Sequence, residues 1–281
     1  MVVAPAQSMR IISWNLLHGQ IIPPNNDQDW RQSLITAAKT VADNYRPDFI
    51  GIQEVDYLQP RSSLINQTQL IAQSMGLKYW AYLPTIFGTP GEKWEKVKDL
   101  QSALMTQDSA PDRNMSYGIG IATNQIIKKL HVKRLGRSII GLPLLIPKDN
   151  GGARFIYVKD EPRVALTAEL ENGLTITTTH LSFAPLVNIY QLNRLCTSLN
   201  KLPGKQVLTG DLNMIANLPS RFSSYRSLTK QMTYPSWKAK IQFDYLMVPK
   251  SSYKSYTVTP ITTVKTNISD HIPIGLELRF Q

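Results

Sequence analysis

The segment 207–213, Val-Leu-Thr-Gly-Asp-Leu-Asn, constrains the fold of this chain more than any other. Its apolar start is typical of the end of a buried strand, and the glycine permits a sharp turn close to a ligand. Because one residue separates Asp211 from Asn213, both side chains can project from the strand end into the same space. The carboxylate can accept a proton or bind a metal ion, and the amide can donate to a phosphate oxygen. An Asx turn after a strand is the alternative interpretation of this segment.

The apolar pattern of the whole chain predicts many short strands and few helices. Strands are indicated by short β-branched runs between turn residues, and helices by apolar residues three and four positions apart. The predicted strands are 10–14, 49–52, 79–83, 117–123, 126–135, 154–158, 162–170, 173–180, 206–210, 243–248, 254–260 and 274–280. The predicted helices are 30–45, with Asn26 or Asp27 available as its cap, 64–75 and 187–199. This order contains two strand–helix–strand units that deliver polar residues to the ends of strands.

The chain is predicted to form a single domain over 9–281, behind a short extension over 1–8. Its 281 residues suffice for a large core, and no linker or close repeat is visible. Residues 84–116 lack a clear period and are predicted to be a substrate-facing loop with helical turns. The longest apolar stretch, 139–146, is too short to span a bilayer, and no signal peptide is recognisable. We therefore expect a cytoplasmic monomer.

The charge of the chain favours anionic partners. Lys and Arg number 31 against 20 Asp and Glu, which gives a formal net charge of +11. Such a field attracts nucleic acid, phospholipid headgroups or phosphorylated metabolites, and it does not choose between them. The single cysteine, Cys196, lies in a helical apolar pattern and is predicted to be a buried structural thiol.

Eight polar residues stand at or beside the ends of the predicted strands. They are Asn15, Glu54, His180, Asp211, Asn213, Asp244, Asp270 and His271. Carboxylates and amides with few thiols favour a hard cation such as Mg²⁺ or Mn²⁺, whereas the histidines lack the compact spacing of a zinc site. An acidic, metal-binding cleft on a basic protein suits a phosphate ester as substrate. Asp244 lies within an apolar strand and needs a buried partner, for which His271 is suitable.

The ordered motifs of the chain resemble those of the endonuclease/exonuclease/phosphatase superfamily, the DNase I-like, Mg²⁺-dependent phosphoesterases. The motifs are Trp14-Asn15, Gln53-Glu54, Thr179-His180-Leu181, Gly210-Asp211-Leu212-Asn213, Phe243-Asp244-Tyr245 and Ser269-Asp270-His271. Any one of them is weak, but six in the right order form a strong signal that runs from residue 9 to the C-terminus. The resemblance implies an α/β fold, a four-layer sandwich of two packed, mainly antiparallel sheets with helices on the outer faces.

The resemblance also implies which residues hold the metal ion and the phosphate. Glu54 would bind the metal ion, with Asn15 near it and Asp270 as a further ligand. Asp211 would orient or deprotonate the attacking water. Asn213 would hold a non-bridging phosphate oxygen.

The remaining implied roles fall to two histidines and one acid. Asp244 would fix the ring of His271, whose other nitrogen faces the phosphate or the water. His180 would donate to the phosphate or to the leaving oxygen. Whether His271 or Asp211 is the base, and whether one or two metal ions act, stays open. Outside this set, His18 is interpreted as a loop histidine, and Arg163 either resembles a recurrent arginine of bacterial members or forms a salt bridge.

The expected reaction is metal-assisted, in-line hydrolysis of a phosphodiester in DNA or RNA. The segment 15–19, Asn-Leu-Leu-His-Gly, departs from the pattern of abasic-site nucleases and is closer to small, uncharacterised bacterial members. The alternatives are a sphingomyelinase-like phospholipid phosphodiesterase and an inositol-phosphate phosphatase. An inactive binding module of the same fold is disfavoured because Glu54, Asp211 and His271 are all present. Endo or exo action stays open.

Overall fold

The computed structural model of the chain describes residues 7–24, 29–110, 112–139, 141–147 and 153–280, with 142–147 and 153–158 described by their backbone alone. Within these ranges the strands are β1 (Gln7–Asn15), β2 (Phe49–Tyr57), β3 (Tyr79–Gly88), β4 (Trp94–Lys96), β5 (Met105–Thr106), β6 (Ser116–Thr123), β7 (Ile127–Gly136), β8 (Leu142–Pro147), β9 (Ala153–Val158), β10 (Arg163–Leu170), β11 (Leu174–His180), β12 (Lys205–Asp211), β13 (Tyr225–Ser227), β14 (Asp244–Pro249), β15 (Tyr256–Ile261) and β16 (Ile274–Phe280). The α-helices are α1 (Trp30–Tyr45), α2 (Gln67–Met75), α3 (Val187–Leu199) and α4 (Leu218–Arg221). Short 3₁₀ turns occupy Leu17–Gly19, Pro60–Ser62 and Tyr253–Ser255.

The strands form two large sheets and one hairpin. The first sheet has the order β15-β16-β1-β2-β6-β3-β4, with β5 also paired to β3, and the second has the order β13-β14-β12-β11-β10-β7. The pairs β1–β2 and β11–β12 are parallel, and each is connected through a helix, α1 or α3. The other described pairs are antiparallel, and of these β10–β11 is joined by a short turn at Asn172-Gly173. Strand β8 of the hairpin β8–β9 contains part of the apolar stretch 139–146.

Alternating side chains along the strands produce four layers. Ile11 and Val207 face a core between the two sheets, whereas their neighbours Ile12 and Leu208 face the outer helices. Successive residues of a strand point to opposite faces, so a run of apolar residues buries both faces of its sheet. Helices α1 and α2 pack on the outer face of the first sheet, and α3 packs on the second. The predicted four-layer sandwich is confirmed.

The helices begin and end at residues that satisfy their free backbone groups. Asp29 caps α1 by accepting from the backbone N–H of Gln32 at 3.1 Å, and Asn66 caps α2 in the same way. The predicted caps Asn26 and Asp27 lie outside the described residues. Cys196 is buried on α3, as predicted. Among the described residues, no helix combines the length and the apolar composition that crossing a bilayer requires.

The prediction of a long loop with helical turns over 84–116 is wrong in its extent: short strands divide the segment, and one helical turn is closed by the backbone N–H of Ala103 and the oxygen of Asp99. Strand β3 continues to Gly88, β4 returns beside it, β5 pairs with its first half, and β6 already begins at Ser116. No helix lies among the described residues of this segment. Strands of two or three residues are too short to show a period of two, so the pairing of β3 with β4 and β5 could not be seen in the sequence.

Gly51 lies where the two sheets approach each other closely, beneath the strand ends. A Cβ atom at this position would lie 2.6 Å from Oγ1 of Thr209 and 2.7 Å from Oγ1 of Thr178, both in the second sheet. Next to it, the amide of Gln53 donates to Thr178 Oγ1 at 2.8 Å. A side chain on Gly51 would therefore push the sheets apart at the rim that carries the polar residues.

We expect Gly51→Ala to destabilise the fold by about 1–3 kcal/mol, the usual cost of overpacking a close contact. Urea unfolding followed by circular dichroism measures the change in the free energy of unfolding. Lys129→Ala, at an exposed position of β7, is the control and should change this free energy by less than about 0.5 kcal/mol. Equal stabilities of Gly51→Ala and the wild type would contradict the close approach of the sheets.

Candidate active site

The two parallel strand pairs end at one rim of the sandwich. In the first sheet Asn15, the last residue of β1, is the register partner of Gln53. In the second sheet His180, the last residue of β11, is the register partner of Asp211. The carboxyl ends of parallel strands are where α/β sheets commonly carry ligands. Both sheets thus direct polar side chains to the same edge.

Asn15 joins the two sheets at this rim. Its side-chain nitrogen donates to Oε1 of Glu54 at 2.8 Å and to Oδ2 of Asp211 at 2.9 Å. Its side-chain oxygen accepts from the backbone N–H of Leu17 at 3.0 Å, which fixes the end of the amide that faces the two acids. Because Asn15 is buried, these bonds hold one carboxylate from each sheet at a defined separation.

Glu54 projects from a bulge within β2, and not from the end of the strand as predicted. The register between β2 and β6 shifts between Ile52 and Val55, and Glu54 itself has a φ of 56°. This left-handed conformation is uncommon for a residue other than glycine, and it persists only where the surrounding structure enforces it. The bulge turns the half-buried carboxylate towards the rim, where its side chain accepts from the amide of Asn15.

Asp211 lies at the centre of the rim. Its Oδ1 accepts from the backbone N–H of Asn213 at 2.8 Å, and its Oδ2 lies 3.7 Å from Nε2 of both His180 and His271. Burial, followed by the charge of Asp244, raises the pKa of the Asp211 carboxyl to about 7, although His271 opposes this. A carboxyl group with this pKa can exchange a proton near neutral pH, as a general base must.

His271 and Asp244 form a buried pair. The imidazole Nδ1–H donates to Oδ2 of Asp244 at 2.8 Å, and Asp244 is fully buried. Burial alone would lower the pKa of the His271 imidazole, but the carboxylates of Asp244 and Asp211 raise it to about 10. Nε2 is therefore protonated at neutral pH and faces Asp211, so it can donate to an anion at the rim. The predicted pairing of Asp244 with His271 is present.

The hydrogen bond between Asn213 and His180 determines the tautomer of the histidine. The side-chain nitrogen of Asn213 lies 3.0 Å from the backbone oxygen of Leu181 and 3.0 Å from Nε2 of His180. A carbonyl oxygen can only accept, so this nitrogen donates in both bonds and Nε2 of His180 carries no proton. Burial, and then Arg163 and His271, lower the pKa of His180 well below its usual value. The predicted donation by His180 to the phosphate or to the leaving oxygen would therefore require Nδ1 or the other tautomer.

Asp270 lies at the more exposed edge of the group. Its side chain is 24% exposed, and its Oδ1 lies 4.0 Å from Nε2 of His271. Burial raises the pKa of Asp270 to about 6; His271 opposes this shift, whereas the charge of Glu54 adds to it. Two carboxylates that repel each other at one rim favour a cation between them. All eight residues selected from the sequence thus lie together.

Two sets of these side chains could hold a metal ion. The ligand atoms of Glu54, His180 and Asp211 lie within 4.8 Å of one another, and so do those of Asp211, Asp244 and His271. Over the described part of the chain, no lysine or arginine forms a salt bridge with these acids. Oδ1 of Asp244 has no hydrogen-bond partner within the same part. This oxygen-rich, anionic donor set fits a hard divalent cation such as Mg²⁺ or Mn²⁺.

Two other residues considered in the sequence have structural partners. The ring of His18 stacks on Trp30 with centroids 6.0 Å apart, and burial, followed by the charge of Arg61, lowers its pKa to about 3. His18 is thus a structural histidine. Arg163 forms a buried salt bridge with Asp160, with Nη2 and Oδ1 2.9 Å apart, which agrees with the salt-bridge interpretation.

Three supporting residues escaped the sequence analysis. Asn188 of α3 donates to the backbone oxygen of Asn213 at 2.9 Å, the ring of Tyr234 lies 5.2 Å from that of His271, and Glu161 is buried next to Arg163. Asn188 alone gave a usable signal, since it is a polar residue on the buried face of an amphipathic helix. The other two lie in irregular segments, where no periodicity indicates which side chains turn inward.

The sequence profile described as "Endonuclease/Exonuclease/phosphatase family" matches residues 12–271. The match covers nearly the whole chain, so the chain belongs to this family and is a hydrolase of phosphoric ester bonds. No curated protein matches the sequence.

Solved structures of low sequence identity share the fold. An endonuclease/exonuclease/phosphatase family protein from Bacteroides thetaiotaomicron is 14% identical, with a TM-score of 0.61 over 99% of this chain and 97% of its own. The mannosyl-6-phosphatase Bt3783 from the same organism is 13% identical, with a TM-score of 0.56 over 96% and 99%. ANGEL2, a 2′,3′-cyclic phosphatase solved with adenosine-2′,3′-vanadate, is 13% identical, with a TM-score of 0.59 over 99% of both chains.

Asp244→Asn should lower the pKa of the His271 imidazole from about 10 towards the ordinary value of about 6.5. The substitution removes the charge that holds the ring protonated and leaves the burial that opposes protonation. NMR of the imidazole signals in EDTA, from pH 5 to 11, measures the pKa of His271 in the wild type and in the variant. His18, with a pKa of about 3, should stay neutral in both proteins and serves as the internal reference. A wild-type His271 that titrates near pH 6.5 would refute the role of the pair.

Proposed function

We propose that this protein is a divalent-metal-dependent phosphodiester hydrolase that cleaves nucleic acid through in-line attack of an activated water. The observation that carries the proposal is the position of Asp211 Oδ2, 3.7 Å from Nε2 of both His180 and His271 and hydrogen-bonded to Asn15. One base, two imidazoles and one amide therefore surround a single small space, as hydrolysis of a phosphate ester requires.

In this mechanism the two acids of the second sheet act differently. Asp211, with a pKa near 7, takes a proton from the attacking water while the new P–O bond forms and the ester P–O bond breaks, and the leaving oxygen takes a proton from solvent water. Asp244 remains paired with His271 and keeps Nε2–H directed at a non-bridging phosphate oxygen. The charge that develops on the phosphoryl oxygens is stabilised by this imidazolium. Both pKa values are raised, so near neutral pH the His271 imidazole already holds its proton, whereas the Asp211 carboxylate can accept one, which supports Asp211 as the base.

The amides and the acids of the first sheet complete the proposed arrangement. Glu54 would hold the divalent ion, with Asn15 and Asp270 beside it, and the ion would polarise a phosphoryl oxygen as a Lewis acid. The side-chain nitrogen of Asn213 would give up its hydrogen bond to His180 or to the backbone oxygen of Leu181 and donate to the phosphate instead. The neutral His180 accepts from Asn213 and keeps its amide at the rim until then.

Nucleic acid is the substrate class that charge favours. The formal charge of +11 attracts a polyanion over a long range, and the phosphodiester backbone is the polyanion that an activated water could cleave here. The structural neighbour ANGEL2 is a 2′,3′-cyclic phosphatase and was solved with an adenosine derivative. A phospholipid or an inositol phosphate would present the same reacting group, so the substrate test includes both.

Asp211→Asn and His271→Ala should each lower kcat by about 10²–10⁴-fold, the range for loss of a general base or of a charge donor. Turnover is measured with Mg²⁺ on plasmid DNA, RNA, sphingomyelin and inositol phosphates. Lys129→Ala is the matched control and should keep wild-type activity. Near-full activity of either site variant would refute the assignment, and hydrolysis of sphingomyelin or an inositol phosphate alone would replace nucleic acid as the substrate.

Glu54→Gln should weaken divalent-metal binding by about 10–100-fold or more, because it removes the charge of the proposed ligand and keeps its shape. Mn²⁺ binding, followed by electron paramagnetic resonance, gives the Kd without depending on turnover. Glu277→Gln, which changes an acid hydrogen-bonded to Ser8 and Arg279 on the far side of the first sheet, is the control. Unchanged Mn²⁺ affinity of Glu54→Gln, or activity that resists EDTA, would contradict the metal role.

A further inference from the structure

A cavity of about 530 Å³ lies apart from the eight residues of the candidate active site. Its volume is in the range of sites that enclose a small ligand or one unit of a polymer. The residues that matter in its wall are Lys93, Trp94, Arg137, Ile139, Lys159 and Asp160. None of them belongs to the group of eight, so the cavity is an additional feature of the rim.

The cavity is lined by residues of both sheets and is linked to the active site through Asp160. Trp94 begins β4, which pairs with the end of β3 in the first sheet, whereas Arg137 follows β7 in the second. Asp160 connects the cavity to the site, because its Oδ2 accepts from the hydroxyl of Ser182 at 2.7 Å, two residues after His180. Asp160 also pairs with Arg163, whose charge lowers the pKa of His180, so a polymeric ligand held in the cavity could extend to the reacting phosphate.

The charge exposed in the cavity is positive. Lys93, Arg137 and Lys159 are exposed, and none forms a salt bridge with a carboxylate in the described part of the chain. Asp160 is buried and committed to Arg163, so it does not neutralise them. Glu92 is the remaining acid of the wall. Three free cations against one acid favour an anionic ligand such as a phosphate group.

The cavity also contains an aromatic surface. The guanidinium carbon of Arg137 lies 5.6 Å from the centroid of the Trp94 ring, and the indole is half-buried against the wall. Aromatic rings and arginine planes are the surfaces on which unpaired nucleobases stack. A half-buried ring between cations suits a base flanked by phosphates better than a lipid chain, which would need an apolar surface.

We propose that this cavity binds the nucleotide next to the scissile phosphodiester, with its phosphate held by Lys93, Arg137 and Lys159 and its base stacked on Trp94. The proposal rests on the proposed nuclease function and specifies the substrate as an unpaired strand at this position. It assigns the turn before β4 and the segment after β7 to substrate selection.

The test uses the full chain in EDTA with a fluorescein-labelled single strand of ten thymidine nucleotides as the probe. Fluorescence anisotropy gives the Kd without hydrolysis. Lys93→Ala with Arg137→Ala should weaken binding at least about tenfold and reduce the salt dependence of log K by about 1.4, at 0.7 for each lost phosphate contact. Trp94→Ala should weaken binding about tenfold and leave the salt dependence unchanged, and Trp94→Phe should restore most of it.

The matched control is Lys128→Ala with Lys129→Ala, two exposed lysines at the opposite end of β7. This control removes the same number of positive charges as the cavity variant. Its loss of overall electrostatic attraction should change the Kd by less than about twofold. Equal weakening by both double variants would overturn the proposal, because only the overall charge would then matter. Weaker binding to sphingomyelin vesicles with unchanged binding of the strand would overturn it in favour of a lipid site.

A kinetic comparison separates this proposal from the proposed function. In Mg²⁺, the loss of kcat/KM in the cavity variants should be about tenfold larger for the ten-nucleotide strand than for bis(p-nitrophenyl) phosphate, which is too small to reach the cavity. A wild type that hydrolyses neither compound would refute the phosphodiesterase function, while the binding data in EDTA would still decide the cavity. Equal losses for both substrates would refute the cavity alone.

Discussion

The two hydrogen bonds from the amide of Asn15 are the interaction on which the rim depends. They hold the carboxylate of Glu54 from one sheet and that of Asp211 from the other within reach of a single nitrogen. Bringing buried carboxylates together costs free energy, because desolvation and mutual repulsion both oppose their ionised forms. An amide that donates to both lowers this cost without adding a charge of its own. The site therefore keeps its negative charge available for a cation.

The layer beneath the rim is polar and closely packed. Gln53 donates to Thr178 across the sheets, and Gly51 leaves room for the hydroxyls of the second sheet. Every polar group in such a layer needs a partner, so the layer tolerates few substitutions. The layer makes the rim rigid, because β2 cannot slide past β11 and β12 without breaking these contacts. The positions of the site residues therefore depend on the packing of the layer beneath them.

The sequence predicted the strand ends better than the loops. The extent of α3, the strand before Asp211 and the pairing of Asp244 with His271 followed from local patterns, namely helical spacing, an apolar run before Gly-Asp, and a buried acid in need of a partner. The bulge at Glu54 could not be predicted, because a left-handed residue is enforced by the neighbouring strand and not by its own sequence. The cavity beside Trp94 likewise depends on two segments that are distant in sequence.

Each parallel strand pair, with the helix that connects it, supplies one half of the rim: Asn15 and Glu54 come from β1–α1–β2, and His180 and Asp211 come from β11–α3–β12. In the proposed mechanism Glu54, the metal ligand, comes from the first unit and Asp211, the base, comes from the second, so the mechanism requires both. The two units contact each other through the apolar core between the sheets. Under the proposed mechanism, the sandwich core is therefore what keeps the base and the metal ligand at one place.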